Sequence, residues 1–332
     1  MTQDERNTAG TPESIVASAA LAPVALFVFN RPAHTQRTLE ALHRNDSAQN
    51  THLYIFCDGP RADREDGIFV QKVRMVVASR RWCGKVTIVE HKKNCGLAAS
   101  IKNGINHVLG EHDRVIVLED DILVSPGFLD YMNTALSIYQ SDSAVTAVCG
   151  FLPGTIMGRL LPETFFLRHF ECWGWGTWRR VWKDLDWDAN RLYARVTENR
   201  EQLDKFDFNN SADFSSHLRA NAEGRMRTWA IYFQANAFLW EGLSLFPGKS
   251  LVQNIGCDSS GVHCDAGVSQ LYSVEVTETV SVKRRKLFES NLGRLYFNCF
   301  FRFGKRSLGS CAFLLLLRKL RLIASSFGPR KV

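Results

Sequence analysis

Between Val24 and Cys149, five short apolar runs are separated by segments with helical spacing, and this alternation narrows the possible folds more than any other feature. VALFVF (24–29) stops at Asn30-Arg31-Pro32, and HLYIFC (52–57) stops at Asp58-Gly59-Pro60. Val86–Glu90 follows, then RVIVL (114–118), which meets Glu119-Asp120-Asp121, and then Ala144–Cys149. The intervening segments, Thr35–Arg44, Asp63–Ser79, Leu97–Leu109 and Phe128–Tyr139, read as helices, the last with Pro126 near its start. Apolar runs without polar alternation, each followed by a helix, specify a mainly parallel sheet covered on both faces. The predicted class is therefore α/β, with a Rossmann-like sheet flanked by helices.

Such sheets bind ligands outside the carboxyl ends of their strands, so the residues just after each run are the first candidates for chemistry. Three adjacent carboxylates, Glu119-Asp120-Asp121, repel one another unless a cation or hydrogen-bond donors meet them. A hard divalent ion bridging a diphosphate supplies that charge; a solvated acidic turn before the helix near Pro126 is the alternative. Arg31 suits a base or a phosphate, or is a plain turn residue. Asp58 suits a nucleobase imide or a ribose hydroxyl, or shapes the turn before Gly59-Pro60. The glycines form neither GxGxxG nor GxxxxGK[ST], and neither HExxH nor GxSxG occurs.

Beyond residue 150 the pattern loosens. Phe170–Trp187 holds five of the eight tryptophans. Within it, Trp173 and Trp175, spaced by glycines, suit stacking on a sugar, while a core aromatic cluster is the other reading. A helix is expected over Trp229–Trp240 and a strand over Ser244–Phe246. The polar loop Gly256–His263 suits closure over phosphates, with His263 as its candidate contact. The expected organisation is a frayed segment over 1–20, a nucleotide-sugar-binding half over 21–150, an acceptor and catalytic half of the same domain over 151–282, and a helical basic tail over 283–332.

The charge is segregated. The net +7 comes from a tail with 13 Lys or Arg against Glu289 alone, leaving 28 basic and 33 acidic residues in the rest, a balance of −5. This argues against a nucleic-acid-binding body and for an anionic partner of the tail. There Phe297, Phe300, Phe301 and Phe303 interleave with cations, and Arg318, Lys319 and Arg321 follow Phe313–Leu317. The expectation is an interfacial segment lying on an anionic membrane surface. Nine cysteines without a CxxC pair argue for reduced thiols. The stretch Ile15–Phe29 lacks a basic leader, so export is not expected and the location is read as cytoplasmic, peripheral on the inner face of the membrane.

Several segments resemble the GT-A glycosyltransferases, in particular the N-acetylglucosaminyltransferase I type and bacterial family-two-like sugar transferases. They are VIVLEDDILVSPGFLDYM (115–132), CWGWGTWRRVW (172–182), TWAIYFQANAFL (228–239) and LFPGKSLVQNIGCDSSGVH (245–263), and the likeness runs over 22–265. The resemblance implies the GT-A fold and a nucleotide-diphosphate sugar donor, a UDP-sugar, bound with Mn2+ or Mg2+. It implies Asp121 as the metal ligand, Glu119 as a catalytic residue facing the sugar, Asp120 on the ribose, and Arg31 and Asp58 on the nucleotide. A glycan or lipid-linked acceptor and inversion at the anomeric carbon follow from the same likeness. Its presumed base is an acid just before a tryptophan, but Thr228 precedes Trp229 here; Glu223 and Asp213 are the nearest upstream acids, and Glu223 is the candidate.

Two rivals stand beside this reading. A sugar-phosphate nucleotidylyltransferase needs a Gly-rich basic loop after the first strand, and FNRPA (29–33) offers none. A sugar-nucleotide-binding scaffold without a base is the other, kept open by Thr228.

Overall fold

A computed structural model describes residues 20–62, 65–154, 158–256, 258 and 272–304. The segment expected to fray is outside these residues up to position 19, as are His263 and the tail from 305 onward.

The first half forms as its pattern dictates. Strands β1 (Val24–Val28), β2 (His52–Cys57), β3 (Lys85–Glu90), β4 (Arg114–Glu119) and β6 (Val145–Cys149) are joined through α1 (Pro32–His43), α2 (Gly67–Ala78), α3 (Leu97–Glu111) and α4 (Phe128–Ile138). A three-residue strand, β5 (Ile122–Val124), interrupts the run after β4. Pro32 at the first turn sets the start of α1, because its fixed φ suits a helix and its missing N–H is not needed there. α2 starts later than its sequence suggests, at Gly67.

The second half supplies β7 (Thr164–Leu167), β8 (Trp175–Trp178), β9 (Leu243–Pro247) and β10 (Val252–Asn254), with α5 (Arg179–Trp182), α6 (Ala189–Val196), α7 (Arg200–Phe206), α8 (Phe214–Ala222), α9 (Ala230–Leu239) and α10 (Asn291–Phe303). Eight strands make one sheet in the order β3-β2-β1-β4-β8-β6-β9-β7. β1 pairs parallel with β2 and β4, β2 with β3, and β6 with β9, while β8 and β7 run antiparallel to their neighbours. The expected α/β class with a mainly parallel sheet is the class observed, and second-half strands extend the same sheet rather than forming another. β5 and β10 pair antiparallel in a separate two-stranded ribbon.

The main core lies against this sheet; β1 and β2 are buried almost throughout because α3 covers them on one face and further helices on the other. A smaller cluster, Leu192, Val196, Phe206, Leu218 and Ala235, joins α6 to α9 beside it.

The start of the tail departs from expectation. Arg284 reaches the Ile138 carbonyl and Asp142, and the Arg285 N–H donates to the Tyr139 hydroxyl at 2.9 Å. α10, capped by the Ser290 hydroxyl accepting from Gly293 N–H, packs on β7 so tightly that a Cβ on Gly293 would lie 2.5 Å from the Phe165 ring. Phe297, Cys299 and Phe300 are buried, and the Phe297 ring meets Phe246 edge-on at 5.2 Å. These phenylalanines are core residues and cannot enter a lipid interface. A helix packing on a sheet and a helix lying on a membrane show the same amphipathic spacing, and here β7 takes the apolar face. No helix among the described residues is long and apolar enough to cross a membrane.

Candidate active site

The sheet order puts β1 beside β4, with Phe27 opposite Glu119. The turn after β1 therefore delivers Arg31 to the acidic triplet at the end of β4. The Arg31 guanidinium donates to the Asp120 carboxylate and, at 2.9 Å, to Asp121 Oδ2. Both aspartates are buried. Burial alone weakens the protonated guanidinium, but the two carboxylates outweigh it and hold Arg31 firmly charged. Burial likewise raises the proton affinity of Asp120, opposed by Arg31 and reinforced by Asp121. Glu119 is pushed above the usual carboxylate range, first by burial and then by Asp121 and Asp120, while a hydrogen bond from the Trp229 side chain acts the other way. The Asp120 carbonyl accepts from the Thr38 hydroxyl at 2.8 Å, tying the triplet to α1.

The ribbon of β5 and β10 roofs this cluster. Asn254 pairs with Ile122, and Ile255 N–H donates to the Asp121 carbonyl at 2.9 Å. Asn254 Oδ1 accepts from Gly256 N–H at 2.7 Å, closing a tight turn. A Cβ on Gly256 would lie 2.1 Å from Asp121 Oδ2 and 2.9 Å from Arg31 Nη1, so any larger residue has to move one of these side chains. Beside it, His34 Nε2 is 3.1 Å from the Asp258 carboxylate. His263, expected further along this loop, lies outside the described residues.

Asp58 sits at the end of β2 and is buried. Its Oδ1 accepts from the N–H groups of Gly59 and Cys95, both at 2.8 Å. Its Oδ2 accepts from Gly96 N–H at 3.0 Å and Asn94 Nδ2 at 2.9 Å. Four donors use the carboxylate's capacity, so Asp58 shapes the loop before α3. His91 and Cys95 each offer a metal-binding atom within 4.8 Å of it, but an ion there must displace those donors. The Asn30 amide donates to Asp66 at 2.8 Å, and Arg61 also grips Asp66, at 2.5 Å and 2.9 Å. Hydrogen bonding from Arg61 above all holds Asp66 down at about 2, and this anchor fixes the turn that carries Arg31.

Two other expectations are corrected. Trp175 is fully buried in β8, stacked 5.3 Å from Trp229, and presents no face to a sugar. The glycines of this segment serve packing instead: Gly174 takes φ +63°, and a Cβ on Gly176 would lie 3.1 Å from the Val115 carbonyl. Trp173 is half-buried, edge-on to Phe151 at 4.6 Å. Glu223, the candidate base, closes α8 with its side chain 38% exposed, bonded to Arg219 at 2.8 Å and to Arg225. Those bonds, from Arg225 first, hold its carboxyl below the ordinary range, which makes it a poor proton acceptor. Thr228 pairs with the Asn221 amide at 2.9 Å. Sequence reasoning missed Trp229 as a partner of Glu119 and Gly256 as the roof, although both lie in segments it had singled out.

The sheet thus carries three carboxylates at the end of a central strand, met by an arginine from the turn after the neighbouring strand. Residues 24–156, which contain β1 to β6 and the triplet, match the family model of glycosyl transferase family 2. That match covers the first half of the sheet and gives this segment, residues 24–156, as a glycosyl transferase family 2 region. Among solved structures the chain is similar to the galactosyltransferase LgtC in complex with donor and acceptor sugar analogs, at 10% identity over 65% of this chain and 70% of that one, with a TM-score of 0.35. It is also similar to S. aureus TarS, at 15% identity over 42% of this chain and 23% of that one, with a TM-score of 0.29. No curated protein matches the chain.

Proposed function

We propose that the protein transfers a sugar, with inversion, from a UDP-sugar to a glycan or lipid-linked acceptor in cell-surface polysaccharide assembly, at the inner face of an anionic membrane. The observation that carries this reading is the cation Arg31, held against Asp120 and Asp121 beside Gly256. Buried carboxylates that already need a positive partner form a hard oxygen donor set, so they fit Mn2+ or Mg2+. Asp121 would hold the ion, which when bound neutralises charge on the leaving diphosphate.

The chain's own groups do the rest. Arg31, freed from the carboxylates, pairs with donor phosphate or base. Asp58 keeps the Asn94–Gly96 loop in place beside the nucleotide. Asp120 faces the ribose. Glu119 faces the transferred sugar, and its raised proton affinity suits it to take the acceptor hydroxyl proton as the new glycosidic bond forms and the bond to UDP breaks. Trp229 orients that carboxylate. Trp173, the half-buried indole of the pair, is left to meet the acceptor.

The test is a panel of nucleotide sugars incubated with the protein and Mn2+, with released nucleotide measured. Release from one UDP-sugar supports the reading. Binding without release from any donor points to the scaffold, and release of pyrophosphate from a nucleoside triphosphate and sugar phosphate points to the nucleotidylyltransferase.

A further inference from the structure

Residues 67–89, which hold α2 and all of the edge strand β3 but its last residue, Glu90, contain five cations and no acid. Arg74 is taken by Glu90 at 3.3 Å. Lys72, Arg80, Arg81 and Lys85 are exposed and are paired with no carboxylate among the described residues. Lys72 lies over the Phe69 ring at 5.4 Å, and Arg80 over Trp82 at 4.0 Å.

Large apolar side chains are exposed on the same elements: Ile68 at 68%, Phe69 at 48%, Met75 at 71% and Ile88 at 37%. They are not core residues left over, because α2 already buries Val70, Val73 and Val77 on its opposite face. Ile68, Lys72 and Met75 recur at helical spacing on the outer side. Between α2 and β3 runs an open cleft of about 440 Å³, lined by Val77, Ala78, Arg80, Arg81, Lys85 and Ile88. Among the described residues β3 pairs with β2 alone and leaves its other edge unpaired beside α2.

We infer that the α2–β3 face docks the protein on an anionic phospholipid surface, with Ile68, Phe69 and Met75 entering the interface and Lys72, Arg80, Arg81 and Lys85 meeting lipid phosphates. Apolar burial and attraction to anionic headgroups add together in such contacts. Charge complementarity alone would suit nucleic acid equally; three exposed apolar side chains among the cations favour lipid. Only the Ile68–Phe69 end of the face lies toward the site, since α2 begins just after Asp66, whose carboxylate holds Asn30 beside Arg31, while Lys85 pairs with the start of β2. This docking rests on the reading that the enzyme works at an anionic membrane and replaces the packed phenylalanines of α10 as the contact.

The experiment is flotation of the full-length protein with phosphatidylcholine vesicles, with and without phosphatidylglycerol. Wild type should float with the anionic vesicles only. Ile68→Ser/Phe69→Ser/Met75→Ser should lower the bound fraction at least tenfold, and Lys72→Gln or Lys85→Gln should each lower partitioning about fivefold. Melting curves accompany each variant; should the triple variant unfold, the two lysine variants decide. Arg318→Gln/Lys319→Gln/Arg321→Gln, made in the full chain, should leave flotation unchanged. Flotation that survives both α2–β3 sets but is lost in the Arg318 set overturns this face and leaves the membrane reading standing. No flotation of wild type, or retention on a random DNA duplex in place of vesicles, overturns both.

Discussion

Arg31 and Asp121 lie far apart in sequence, yet the Arg31 guanidinium donates to Asp121 Oδ2 at 2.9 Å because β1 and β4 are parallel neighbours. The same guanidinium also holds Asp120, so one side chain balances two buried carboxylates.

Removing that cation leaves the carboxylates unpaired. Arg31→Gln should destabilise the metal-free protein by about 3 kcal/mol, in the range for breaking a buried ion pair. Added Mn2+ should recover most of the loss. Thermal melts in EDTA and in Mn2+ check this, and equal melting points for wild type and variant in EDTA would remove Arg31 from the role of counter-ion.

Gly256→Ala should cost more in binding than in stability. The new methyl has to move the Asp121 carboxylate, which lies 2.1 Å from its position, or the Arg31 guanidinium. UDP affinity in Mn2+ should fall at least tenfold, measured by calorimetry, with the melting point nearly unchanged. An unchanged affinity would show that the roof over the triplet does not touch the donor site.

Asp58→Ala removes the acceptor for the N–H groups of Gly59, Cys95 and Gly96. Hydrogen bonds to a charged group contribute about 1.5–3 kcal/mol each before relaxation. Amide exchange at Cys95 and Gly96 should therefore accelerate far more than exchange in β2. Uniform exchange across both would mean that the carboxylate does not hold this loop.

The first half was legible in the sequence because burial on both faces leaves an unmistakable trace. HLYIFC coincides with β2, and RVIVL with β4 to within its last residue. The second half was not. Trp173–Gly176 alternates tryptophan and glycine, which resembles a binding loop, and only the insertion of Trp175–Trp178 between β4 and β6 makes a strand of it. β5 and β10 are too short to show a period at all. Charged candidates at strand ends could be read because the fold class names that edge as the site. The contact of Trp229 with Glu119 could not, since it depends on how α9 packs against the sheet.

The anchor beneath the Arg31 turn should show in acid. Asp66 is held at about 2, below its unfolded value, chiefly by the hydrogen bond from Arg61. A carboxyl lowered in the folded state contributes stability above its unfolded pKa and loses it as pH falls toward its folded one. The melting-point gap between wild type and Arg61→Gln should thus be full at neutral pH and close between about pH 4 and 2. A gap that persists at pH 2 would assign the effect to packing.

Turnover separates the two glutamates. Glu119→Gln should lower kcat at least a hundredfold with little change in UDP affinity, the loss expected for general base catalysis. Glu223→Gln should leave the pH–rate profile where it is, because Arg219 and Arg225 already occupy that carboxylate. The reverse pattern would place the base at Glu223.

Calorimetric titration of UDP into wild type and Asp121→Asn, each with Mn2+ and with EDTA, tests the central claim most directly. Arg31 balances only part of the triplet's charge, so a diphosphate needs a further cation to settle against it. The expected result is binding by the wild type in Mn2+ and none in the other three arms. Binding that survives both EDTA and Asp121→Asn would contradict the assignment of the triplet as a metal-dependent donor site.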